Sequence, residues 1–154
     1  MTAAGWVELL VRVGIVLLFL PFSALDKILG FGNAVDQAQQ VFKPRALATI
    51  VLLLGLAIEL FCTLGVVAGV ADRAAAFIIA GYCAATALLY KQFWAPGDFW
   101  SNPAGKGRSL FWDFLKNLSL GAGFLLIVVG TDGSGLQPFL SAPFESSHPY
   151  GDHR

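Results

Sequence analysis

Charge is what this 154-residue chain has least of. Only 13% of its residues are Asp, Glu, Lys or Arg, where soluble domains carry about 25%. Hydrophobic residues make up 56%, and the mean hydropathy is +0.70. That composition excludes an ordinary soluble domain. The ten basic and ten acidic residues cancel, so no basic surface exists to neutralise a row of phosphates, and nucleic-acid binding has no electrostatic basis. Cysteine is also scarce. Cys62 and Cys83 each lie inside an apolar run and form neither a CxxC nor a zinc-type spacing. They read as packing residues, and a usual helix separation of about 8–10 Å argues against a disulfide between them.

Other absences narrow the organisation. No charge run, repeat or low-complexity linker divides the chain, so one domain is expected. The opening stretch MTAAGWVELLVRVGIVLLFLPFSALDK has no positive n-region, and Glu8 and Arg12 interrupt its apolar part, so it does not read as a cleaved signal peptide. Both histidines, His148 and His153, sit with Asp152 in the tail SAPFESSHPYGDHR. That composition reads as a flexible polar segment over residues 131–154 rather than a metal site.

What the chain has in abundance is long apolar runs. Four of them, near residues 6–28, 46–70, 74–94 and 111–129, approach the ~20 residues that a helix needs to cross the hydrocarbon. Backbone groups in lipid must be satisfied within the segment, so these runs are predicted to be helices. The turn at 71–73 is too short to join anything but antiparallel neighbours. The expected fold is therefore all-α: an integral membrane bundle of four transmembrane helices in up-down-up-down order over residues 1–130. Small residues at Ala80-Gly81, Ala84-Ala85 and Gly121-Ala122-Gly123 allow close helix approach and leave a homo-oligomer open.

Orientation is read from loop cations. Lys27, Lys43, Arg45, Lys91, Lys106 and Arg108 flank the first and third connections, against Arg73 and Arg154 on the other side. That six-to-two imbalance predicts cytoplasmic loops and both termini outside, in a cell (inner) membrane. Phe93, Trp94, Phe99, Trp100, Phe111 and Trp112 cluster at the third connection. They read as an aromatic belt at the headgroups, with a substrate-binding loop as the alternative.

Charges inside the spans default to functional candidates. Arg12 and Glu59 lie at comparable depths below the same membrane face, and Glu8 precedes Arg12 by one turn in the favourable acid-first order. A first polar layer of Glu8, Arg12 and Glu59 is expected, with Arg12 and Glu59 paired. A second layer gathers at the opposite end. Asp26 and Lys27 close the first helix, Tyr90 and Lys91 close the third, and Asp113, Lys116 and Asn117 share one face at the start of the fourth. Asp113 near a helix N-terminus also suits the macrodipole. These groups are either ion pairs fixing helix register, with Lys116 free to snorkel, or the walls of a polar cavity for a head group or proton relay. Neither layer has the ligand set of a metal site.

An early arginine followed by LLFLPFSALDKILGF, the mid-helix acid in ELFCTLG, and a fourth helix containing KNLSLGAGFLL resemble the DoxX family of four-helix membrane proteins. The similarity runs from about Val11 to Gly130. Where many relatives carry a histidine near the end of helix three, this chain reads LLYKQFW. The resemblance implies an integral membrane subunit. Some members are linked to thiosulfate oxidation coupled to quinone, others to oxidative-stress or thiol systems, and the fold also resembles a eukaryotic cargo receptor.

The leading expectation is an accessory subunit of a membrane redox system, quinone- or thiol/sulfur-linked, with quinone as the candidate cofactor and a redox protein as the candidate partner beside the lipid bilayer. In that reading Arg12 and Glu59 shape a head-group pocket, and Tyr90 or Lys116 bonds a carbonyl oxygen. A self-sufficient enzyme is less expected, because there is no haem histidine in a span, no paired cysteines and no nucleotide loop. The alternatives are a non-catalytic scaffold, assembly factor or adaptor, and a small-solute carrier. The last is disfavoured by the lack of an obvious repeat or broken helix.

Overall fold

A computed structural model of the chain describes residues 3–130 and 135–150. Its regular structure is helical, with no strand among the described residues. Four helices there are long and apolar enough to cross a membrane: Gly5–Leu29, Arg45–Ala68, Asp72–Tyr90 and Lys106–Val129. They alternate in direction, so the first and third connections share one end of the bundle. The turn between the second and third spans lies at the other. Gly69 and Ala71 close that turn in the left-handed conformation, at φ 70° and 47°, and Val70 N–H bonds back to Gly65 O at 3.0 Å. Much apolar surface faces outward, including Leu29 at 79% and Phe61 at 73% exposure, as a lipid-facing wall requires.

The packed centre draws on all four spans. Val16 and Phe19 of the first, Val66 of the second, Ile79 and Cys83 of the third, and Phe124 and Val128 of the fourth form one buried cluster. A Cβ added at Gly121 would stand 3.3 Å from both Ala80 O and Cys83 Cβ, so glycine there sets how closely the third and fourth spans approach. Cys62 and Cys83 are both free.

Three features depart from the sequence expectations. The first span is interrupted. Residues Leu18–Ser23 form a wide π-type turn, with Leu20 extended at φ −124° and ψ 118° just before Pro21. Proline lacks the donor and collides with the preceding turn, so the chain leaves helical geometry there. The first connection is not plain loop either. Helix Phe31–Gln39 buries Val35 and Ala38 against Ala48 and Leu52 of the second span, an apolar spacing of three to four residues inside an otherwise polar stretch.

Third, the last span begins at Lys106 rather than near Phe111. Asp98 Oδ1 accepts from Gly107 N–H at 2.8 Å, so the acid at this helix N-terminus is Asp98, and Asp113 lies about two turns inside. Phe93 holds the same connection in place. Its ring packs on Phe99, Phe111 and Phe114 at 5.1–5.5 Å between centroids, while Trp94, Trp100 and Trp112 stay largely exposed.

Candidate functional site

The two ends of the bundle hold two separate polar clusters, with the apolar centre between them. At the loop end a cavity of about 670 Å³ is walled by all seven residues of the predicted second layer and by Glu59. Glu59 forms its inner wall. It is 2% exposed and sits in a second π-type turn, Ile58–Cys62, whose loosened backbone is tied by Thr63 Oγ1 donating to Glu59 O. Glu59 Oε1 accepts from Ser23 Oγ at 3.0 Å, from Tyr82 OH at 2.9 Å, and from Lys27 Nζ in a short ion pair. Lys27 also donates to Ser23 Oγ at 2.8 Å, one helical turn away, and reaches Tyr82 OH at 3.4 Å. Glu59 Oε2 is buried and has no hydrogen-bond partner among the described residues.

Two local choices make this cluster fit. Gly55, one turn before Glu59, leaves room for the phenol, because a Cβ there would stand 3.2 Å from Tyr82 OH. Phe19 packs on Tyr82 and Phe124, at 6.3 and 5.9 Å between centroids, and so joins the cluster to the apolar centre.

Nearer the cavity mouth, Asp113 Oδ2 accepts from Lys91 at 3.2 Å and Oδ1 from Lys116 at 3.5 Å. Asn117 Nδ2 donates to Asp113 O at 3.0 Å, and Thr86 Oγ1 lies 3.5 Å from Asn117 Oδ1. Asp26 and Tyr90 complete this wall. Asp26, Glu59 and Asp113 face Lys27, Lys91 and Lys116, so the lining is formally neutral.

The predicted first layer is not assembled. Arg12 and Glu59 are not partners. Arg12 keeps Glu8, at 3.1 Å, but its main partner is Asp72, whose Oδ2 accepts from Nη1 at 2.7 Å, and the same Nη1 donates to Val66 O at 2.7 Å. Arg12 and Asp72 are 3% and 0% exposed. The reason is directional. Side chains tilt toward the N-terminus of their own helix, and the first and second spans run antiparallel, so Arg12 leans to the turn end and Glu59 to the loop end.

The segment after Thr131 also departs from a freely solvated tail over its described part. Ser147 N–H donates to Asp72 Oδ1 at 2.9 Å, its hydroxyl donates to Asp72 Oδ2, and Arg12 Nη2 donates to that hydroxyl at 3.0 Å. Ser146 bonds Gly69 O and Tyr150 bonds Val67 O. Asp152 and His153, considered above as metal ligands, lie outside the described residues. Among those described, no group of three His, Cys, Asp or Glu could hold a metal ion.

Ser23, Tyr82, Asp72 and Ser147 are site residues that spacing alone does not single out. Ser23 stands one turn before Lys27, which was a usable signal. Asp72 belongs by sequence to the short turn at 71–73, on the same membrane face as Arg12.

Four membrane-crossing helices around a polar cavity at one end and a buried ion pair at the other define a small multi-pass membrane protein. The DoxX family model matches residues 7–92, and the chain belongs to the DoxX family. The match covers the first three spans; the Lys116-Asn117 motif lies beyond it. No curated protein and no solved structure matches the chain.

Proposed function

We propose that the protein is an accessory subunit of a membrane redox system, holding the head group of a quinone-type carrier in the loop-end cavity for a partner that exchanges the electrons. The observation that carries this reading is the part-buried cluster of Lys27 and Tyr82 on the buried Glu59, at the inner wall of a cavity inside an apolar bundle. Its volume falls within the roughly 300–1,000 Å³ of small-ligand sites. A neutral lining suits an uncharged head group better than a small anion, which would need an excess of cations around it. The loop end is assigned to the cytoplasm on the loop cations.

Solvent extraction of the gently purified protein tests the reading, and about one quinone per chain is the expected result. A stable co-purifying protein without quinone would point instead to a scaffold. The interruption at Leu20-Pro21, whose neighbours Leu18, Phe19 and Ser23 line the cavity, favours a second reading as a small-solute carrier. Substrate uptake by proteoliposomes, without bound quinone, would establish that one.

A further inference from the structure

At the inner wall, the hydrogen-bond donors are committed and an acceptor is free. Lys27 has three N–H donors, directed to Ser23 Oγ, Glu59 Oε1 and Tyr82 OH. The single hydroxyl protons of Ser23 and Tyr82 both go to Glu59 Oε1. The unfilled capacity is Glu59 Oε2, buried and without a partner among the described residues. Such an orphaned carboxylate oxygen calls for a donor. The mouth has the opposite bias, because Lys116 is 77% exposed and holds Asp113 only at 3.5 Å, leaving ammonium protons available.

We infer that the cavity selects the reduced, hydroquinone form of its carrier over the oxidised quinone, with Glu59 Oε2 accepting a hydrogen bond from one ring hydroxyl and Lys116 donating to the oxygen at the far side. The inference rests on the head-group reading above and adds the redox form. A quinone oxygen is an acceptor only, so at the inner wall it must break a bond that Lys27, Ser23 or Tyr82 already makes. A hydroquinone hydroxyl donates, and a small turn of the Glu59 carboxyl presents Oε2 to it. At the mouth both forms accept from Lys116, so discrimination comes from the inner end. Preferential binding of the reduced form raises the potential of the bound two-electron, two-proton couple, by about 30 mV for each tenfold of preference.

The test is anaerobic titration calorimetry on the full-length protein in detergent, with a decyl-substituted benzoquinone and its hydroquinone as probes. The expected result is hydroquinone binding at least about tenfold tighter, the scale of one hydrogen bond to a charged acceptor. Glu59→Gln should reduce that preference, and Lys116→Ala should weaken both probes about equally. Equal affinities, or tighter quinone binding, in the unmodified protein would overturn the inference and leave the head-group reading standing. Binding of neither probe would overturn both. Since the comparison is made on the native chain, poor folding of Glu59→Gln does not blunt it.

Discussion

Arg12 and Glu59 show how much a single side-chain direction decides. Each is a buried charge in an apolar bundle, and each finds its counter-charge within its own end of the molecule: Arg12 bonds Asp72, Glu8 and Val66 O, while Glu59 Oε1 bonds Lys27, Ser23 and Tyr82. Removing one member of a buried pair leaves the other uncompensated and costs about 3–5 kcal/mol, whereas replacing both can be nearly neutral. Arg12→Leu should therefore lower thermal stability in detergent sharply, and Arg12→Leu with Asp72→Leu should recover much of the loss. Arg12→Leu combined with Glu59→Leu should instead be additive within about 0.5 kcal/mol, as for residues that share no partner. Strong coupling in that second cycle would show that the two ends communicate and are not separate clusters. Spacing alone gathers Asp26, Lys27, Lys91, Asp113 and Lys116, which crowd the ends of three helices on one side, but it sets Glu59 beside Arg12 and not in the cavity. Tyr82 and Ser23 were not legible, since a neutral hydroxyl in an apolar helix looks like packing until its acceptor is known.

At the scale of elements, the four spans followed from run length, and their irregularities did not. The break at Pro21 had a visible cause, but a π-type turn at Ile58–Cys62 is set by tertiary contact, with no proline or glycine inside it to announce it. The third connection is folded rather than slack, because Phe93 anchors its aromatic rings and Asp98 receives the Gly107 N–H that opens the last span. Glycine at 107 is part of that clamp: a Cβ there would stand 2.6 Å from Asp98 Oδ1 and 2.9 Å from Phe93 O. Asp98→Ala removes the cap acceptor and should cost about 1 kcal/mol. Hydrogen exchange across residues 106–109 should rise with it, while the cavity, walled further along the span by Asp113, Lys116 and Asn117, keeps its ligand affinity. Unchanged exchange at 106–109 would mean that the aromatic packing alone holds this helix end.

For the whole molecule, the direction in which the bundle crosses the membrane is read from its loop cations, and the structure changes the weight of each. Lys27 and Lys91 are 23% and 32% exposed and engaged in ion pairs with Glu59 and Asp113, so they belong to the cavity rather than to a free loop surface. Lys43, Arg45, Lys106 and Arg108 remain at the loop end. Arg108 stacks on Phe99 at 4.9 Å. Set against Arg73 at the turn end, the excess still lies at the loop end, and positive residues are retained in the cytoplasm. Exposed Trp94, Trp100 and Trp112 at that same end supply the interfacial anchors. We predict that Ser101→Cys, on an exposed stretch of the third connection, reacts with a membrane-impermeant thiol reagent only when the inner face is opened. Cys62 and Cys83, inside the spans, should stay silent in both conditions. Labelling of Ser101→Cys in intact cells would invert the bundle, putting the cavity mouth outside and the docked segment around Ser147 in the cytoplasm.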